Sequence, residues 1–138
     1  MQIKDVLIAT PSDTIPLIRG YANKKQEHFG ILCINGGQKT ISRDLLFIGG
    51  ATSCKIDKTV LFWKIVRREP VGVILFHNHP SANTSPSPED IETTREIFKG
   101  LKLLGIQLFD HVIIGKYDYF SFLEHDILPK NDEMNSIF

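Results

Sequence analysis

His77 and His79 stand two residues apart, and Asp90 follows eleven positions after the second of them. Two imidazoles and one carboxylate leave a zinc ion an open fourth position, the pattern of a catalytic rather than a structural ion. The spacing works only on extended chain, because side chains two apart share one face of a strand but diverge on a helix. Val71-Gly72-Val73-Ile74-Leu75-Phe76 runs directly into His77 and reads as a buried strand. If that strand continues through His79, both rings reach one ion, and a returning loop presents Asp90 from the start of a helix. The chemistry expected of such an ion is hydrolysis, since zinc activates water near neutral pH and polarises a carbonyl. A proton must still reach the leaving group, which calls for a general base. Glu27 is the first choice, because it precedes the apolar run Phe29–Ile34 expected to neighbour the histidine strand; Glu69 and Glu89 are alternatives by spacing.

Ser87 and Asp90 each carry two readings. Ser87 is a good helix N-cap, worth about 1 kcal/mol, and its hydroxyl is also suited to donate to the oxyanion of a tetrahedral intermediate. Asp90 in a first helical turn is favoured by the helix dipole whether or not it binds metal. Only the joint pattern with His77 and His79 favours the chemical readings.

The elements that must position these groups alternate between strand and helix. Ser12 opens a short helix to about Tyr21, with Pro16 against it. Phe29–Ile34 is apolar on both faces, as in a central strand, and Gly36-Gly37 turns the chain into a second strand from about Lys39 to Ile48, ended by Gly49-Gly50. Asp57 caps a helix whose apolar stripe includes Val60, Leu61, Trp63 and Ile65, backed by Lys64 and Arg67. The histidine strand follows, then a Ser/Pro-rich loop from Pro80 to Pro86. Ser87-Pro88-Glu89-Asp90 opens the clearest helix, with Ile91, Ile97, Phe98, Leu101 and Leu104 as its buried face and Gly105 as its stop. Strands at about Gln107–Ile114 and Asp118–Leu123, joined at Gly115-Lys116, complete the core. The expected fold is α/β, a mixed and largely antiparallel sheet packed between helices, the hairpins arguing against a doubly wound parallel sheet.

At 138 residues the chain is expected to form one domain, residues 1–138, with its core at about 25–123 and a weakly ordered tail at about 130–138. Apolar content of 42% and charged content of 23% are those of an ordinary globular domain. Sixteen basic and sixteen acidic residues cancel, so no overall field attracts nucleic acid or anionic lipid. The basic pairs Lys24-Lys25 and Arg67-Arg68 read as solvated surface. No segment has the roughly 20 apolar residues of a membrane span, and the N-terminus lacks the apolar core of a signal peptide. Cys33 alternates into an apolar strand as a core residue, and Cys54 lacks a partner at ligand spacing. A reduced, cytoplasmic location follows as the expectation.

Taken together, Glu27, His77-x-His79, Ser87 and Asp90 resemble the JAMM signature of the MPN/JAB metalloprotease superfamily. His77-Asn78-His79-Pro80-Ser81, Pro86-Ser87-Pro88-Glu89-Asp90 and the downstream Asp110-His111-Val112-Ile113-Ile114-Gly115 are similar to its bacterial RadC-like branch, over roughly Lys25 to Leu123. The resemblance implies the cytidine-deaminase-like MPN/JAB fold and Zn2+ held by His77, His79 and Asp90. It implies Glu27 as general acid/base, Ser87 as oxyanion donor, and hydrolysis of peptide or isopeptide bonds in a protein substrate. The branch also carries a historical DNA-repair label. The chain departs from the branch at Ala82-Asn83, where a glycine is common, and at Thr52-Ser53-Cys54-Lys55, where a Pro-Arg segment is typical. It leaves no room for the helix-hairpin-helix region of longer RadC proteins, and its Pro80–Pro86 loop is short for a substrate-gripping insertion.

Two other function classes stand beside the zinc-dependent hydrolase. A DNA-associated protein would use Phe62-Trp63 beside Arg67-Arg68, although the neutral charge argues against it. A non-catalytic interaction module is the third, countered by the complete ligand set. Asp110 and His111 alternate, so at most one faces the metal, where it would orient a ligand imidazole. His28 and His125 read as surface histidines.

Overall fold

A computed structural model describes residues 2–49 and 56–130 of the chain. Cys54, the segment Thr52–Lys55 and the tail 131–138 lie outside the described residues. Five strands form one mixed sheet in the order β2-β1-β3-β4-β5. They are β1 Glu27–Ile34, β2 Thr40–Gly49, β3 Gly72–Asn78, β4 Gln107–Ile114 and β5 Tyr119–Ser121. β1 is antiparallel to both β2 and β3, β3 is parallel to β4, and β4 is antiparallel to β5. The single parallel pair requires a crossover, which the helix α3, Pro88–Leu103, supplies.

Strand alternation sorts the core into two layers. Phe29, Ile31, Cys33, Val73, Leu75 and Leu108 pack against α2 (Lys58–Val66) and α3 through Leu61, Ile65, Ile97, Phe98 and Leu101. Leu32, Ile34, Ile74, Phe76, Val112 and Ile114 face the other way and bury Ile15, Leu17 and Ile18 of the N-terminal segment. The sheet therefore lies between helices, as expected. The N-terminal helix is a series of three short pieces: a 3-10 turn Pro11–Thr14, α1 Ile15–Ile18, and a second 3-10 turn Arg19–Tyr21. Pro16 is accommodated because it sits in the first turn of α1, where its missing N–H has no partner to lose.

Several local signals act as read, and some do not. Asp57 caps α2 through Val60 N–H at 3.2 Å. Gly105, at φ +74°, ends α3, with Ile106 N–H on Leu101 O and Gly105 N–H on Lys102 O closing the helix end. Leu104, expected in the core, is 49% exposed, because the helix has already ended and the chain turns there. On α2 only Leu61 and Ile65 are fully buried; Val60 and Trp63 project to solvent, and Trp63 is covered on one side by Arg67 at 4.9 Å. The β1–β2 turn places its left-handed residue at Gln38, φ +61°, rather than at Gly36 or Gly37. Asn35 Oδ1 holds that turn by accepting from Gly37 and Lys39 N–H. Arg68 is partly exposed, as a surface residue, but is held by a two-pronged ion pair with Asp44 at 2.9 and 3.2 Å. Only Trp63 and Arg67 of the suggested nucleic-acid group face outward.

Candidate metal centre

His77 lies inside β3, and His79 follows one residue past its end, held extended by its own N–H on Ile114 O. Both rings therefore emerge on the α3 face of the sheet, and their Nε2 atoms approach to 3.0 Å. Asp90 reaches the same point from the first turn of α3, with Oδ2 3.1 Å from His79 Nε2 and Oδ1 3.4 Å from His77 Nε2. The crossover thus closes eleven residues of sequence into one constellation.

The Pro80–Pro86 loop sets the His79 ring. His79 Nδ1–H donates to Asn83 O at 3.0 Å, since a carbonyl can only accept, and this turns Nε2 toward the site. Thr84 is buried and donates to Asp118 Oδ1, and Gly115 lets the β4–β5 turn approach it closely, because a Cβ there would strike Thr84. Ala82 and Asn83 carry no positive φ, so the loop does not need the glycine common at this place.

Ser87 N-caps α3: its Oγ accepts from Asp90 N–H at 3.0 Å, while Asp90 Oδ2 accepts from Ser87 N–H at 2.9 Å. One carboxylate thus completes a capping box and faces both imidazoles. The cap bond uses Ser87 as acceptor and leaves its hydrogen free to donate into the cleft that it lines.

Glu27 is the first residue of β1, on the same face as Phe29, which pairs directly with His77. Its carboxylate comes within 4.8 Å of the donor nitrogens of His77 and His79. Glu89 lines the cleft as well, whereas Glu69 precedes β3 and so lies at the end of the strand away from His77. The two central carboxylates are displaced in opposite directions. Burial raises the Glu27 pKa, against the pull of His77 and His79. Burial also works to raise Asp90, but hydrogen bonds with His77 and His79 outweigh it and hold this carboxyl well below the usual range. For His79, burial opposes the charged form, yet the bonds to Asp90 and Asn83 prevail and its pKa is raised.

Asp110 and His111 do face opposite sides, and His111 is the one turned to the site. Its Nε2 lies 2.8 Å from His77 Nδ1, and its Nδ1 lies 2.6 Å from Thr94 Oγ1. Burial pushes the His111 pKa well below its ordinary value, and His77 adds to the effect. Asp110 binds the other face together, accepting from Ser121 Oγ and from the N–H groups of His111 and Leu123; burial raises its pKa despite those bonds. His28, expected at the surface, is buried at 9% exposure, packed on Tyr21 with Nδ1 on Gln26 O. Its burial follows from β1 beginning at Glu27 rather than Phe29. His125 is exposed, as expected, and stacks on Phe120.

The donor set fits a small divalent ion. A tetrahedral zinc with bonds near 2.0–2.1 Å separates its nitrogen donors by roughly 3.3 Å; here the two Nε2 atoms lie 3.0 Å apart and each meets its own Asp90 oxygen, Oδ2 at 3.1 Å from His79 and Oδ1 at 3.4 Å from His77. The site opens into a cleft of about 870 Å³ bounded by Glu27, Ser87, Glu89 and the two histidines. Sequence reasoning passed over two contributors, Asn78 and Thr94. Both are fully buried polar residues within elements, and a buried polar side chain always has partners to be found.

Comparison with known proteins identifies the family. Residues 8–127 match the family described as RadC-like JAB domain. A UPF0758 protein of Listeria innocua is 34% identical over 122 residues, covering 88% of this chain and 54% of that protein. A UPF0758 protein of Rubrobacter xylanophilus is 35% identical over 123 residues, with 88% and 54% covered. One from a Nostoc species is 39% identical over 101 residues, with 73% and 42% covered. The chain spans about half the length of these relatives. No helix among the described residues is long and apolar enough to cross a membrane.

Proposed function

The chain belongs to the RadC-like JAB domain family, and on that premise we propose that it is a zinc-dependent hydrolase of peptide or isopeptide bonds. The observation that carries the reading is the convergence of His77 Nε2, His79 Nε2 and the Asp90 carboxylate within 3.0–3.4 Å. His77, His79 and Asp90 would hold Zn2+. Bound there, the ion supplies Lewis acidity toward a substrate carbonyl and toward water.

The opposite displacement of the two carboxyl pKa values divides their labour. Asp90, kept ionised and in contact with both rings, is suited to ligation. Glu27, within 4.8 Å of both histidine donors and with a raised pKa, is suited to take a proton from the attacking water and return it to the leaving amine. The water oxygen bonds to the carbonyl carbon, the C–N bond breaks, and the departing nitrogen leaves with Glu27's proton. Ser87 Oγ–H donates to the carbonyl oxygen as negative charge develops on it. A protein segment with a scissile amide in extended conformation is the proposed substrate.

The test is cleavage of a fluorogenic peptide mixture and of lysine-linked isopeptides by the zinc-loaded protein, beside Glu27→Gln. Zinc-dependent turnover abolished in Glu27→Gln supports the hydrolase. Equal, zinc-independent rates in both proteins would contradict it.

A further inference from the structure

We propose that His111 and Thr94 are positioning residues that fix the ring tautomer of His77. Their value to metal binding rests on the zinc reading above; the tautomer itself does not.

The direction of the hydrogen-bond chain can be worked out from one end. Thr94 Oγ1 lies 2.6 Å from the main-chain oxygen of Asp90, which can only accept, so the Thr94 hydroxyl hydrogen goes there. The Thr94 oxygen is then left as an acceptor, and His111 Nδ1 lies on it at 2.6 Å. That nitrogen must carry hydrogen. His111 is 0% exposed, stacked on Phe122 and edged by Phe29, and among the described residues no carboxylate hydrogen-bonds its ring to hold a second proton there. Its Nε2 is therefore the acceptor, and His77 Nδ1, 2.8 Å away, donates to it. The relay thereby places hydrogen on His77 Nδ1, and Nε2 is the atom that faces His79 and Asp90.

The chain begins at the backbone of Asp90 and ends on His77, so it links two members of the same donor set through β4 and α3. A turn of α3 is tied to the ring that its own carboxylate must meet. A ligand histidine usually donates to a carboxylate or a carbonyl; here a neutral imidazole and a hydroxyl relay the demand of a carbonyl one helical turn away. The backbone device behind it is a bulge. Val73 pairs with Leu108, but Ile74 pairs with Asp110, so Phe109 is the extra residue on β4. Leu108 faces the α3 side, and without the bulge His111 would fall on the opposite side.

The test uses the wild type, Thr94→Val, which keeps shape but loses both hydrogen-bonding roles, and Thr94→Ser, which keeps the hydroxyl. Imidazole 15N spectra of the metal-free proteins report the tautomer, and competition with a chromophoric chelator reports the zinc dissociation constant. The expected result is hydrogen held on His77 Nδ1 in wild type and Thr94→Ser, and only partial occupancy of Nδ1 in Thr94→Val. Zinc binding should weaken about 10- to 100-fold in Thr94→Val and return to within about threefold of wild type in Thr94→Ser. A His77 bare at Nδ1 in wild type, or an unchanged Nδ1 occupancy in Thr94→Val, overturns the proposal. A wild type with the Nδ1–H form but no affinity for zinc contradicts the hydrolase reading and leaves the relay standing.

Discussion

Asn78 accepts the N–H of His28 through its Oδ1 at 2.5 Å, so the residue between the two site histidines grips the strand that carries Glu27. Its Nδ2 donates to Gln26 O at 3.0 Å on the other side of Glu27. The β1–β3 ladder ends at the Phe29–His77 pair, and beyond it this amide side chain takes over from the backbone. One strand thus presents His77 to the front and, through Asn78 at the back, sets the position of Glu27.

Replacing Asn78 with Ala leaves the His28 N–H without its buried acceptor, while the exposed Gln26 carbonyl keeps its bond with His28 Nδ1. One such orphaned group costs about 1–3 kcal/mol, so the melting temperature should fall. Turnover should fall further than stability explains, with zinc content retained, because Glu27 moves while the ligands do not. Thermal melts, metal analysis and kinetics on one preparation check this; full turnover in a merely less stable protein would contradict it.

Glu27→Gln should keep zinc and lose about 10²- to 10⁴-fold in turnover. In the metal-free protein burial raises the Glu27 pKa. The same shift has a consequence for stability. Because the folded pKa is higher than the unfolded one, the folded state binds the extra proton, and stability is lost as pH rises through that window. Metal-free Glu27→Gln should therefore melt higher than wild type at pH 7 and the same at pH 4. A lower melting temperature at pH 7 would contradict the burial argument.

Ser87→Gly separates the cap from the chemistry. Glycine at an N-cap costs only a few tenths of a kcal/mol, whereas loss of an oxyanion donor costs about 10²- to 10³-fold in rate. Near-native stability with turnover reduced by that factor is expected. Near-native turnover would leave Ser87 as a cap alone.

Much of this arrangement is legible in the sequence. The two-residue spacing of His77 and His79 after an apolar run requires a common face on a strand, and Ser87-Pro88 requires a helix start, which brings Asp90 into its first turn. Other features depend on partners far away in sequence. The bulge at Phe109 that turns His111 inward is a property of the β3–β4 register, and nothing local in Gln107–Ile114 announces it. Trp63 and Val60 look like core by type, yet the faces of α2 that meet the sheet are filled by Leu61 and Ile65. Burial of His28 follows from a strand start two residues earlier than apolar pattern marks, held there by Asn78 rather than by propensity.

The central claim is that His77, His79 and Asp90 hold one zinc ion. The direct measurement is zinc content per chain by elemental analysis, for the wild type and Asp90→Ala, each purified without chelators or a histidine tag and then loaded with metal. Near one zinc per wild-type chain, and clearly less in Asp90→Ala, is the predicted result. No zinc in either protein after loading, or equal zinc in both, would contradict the account.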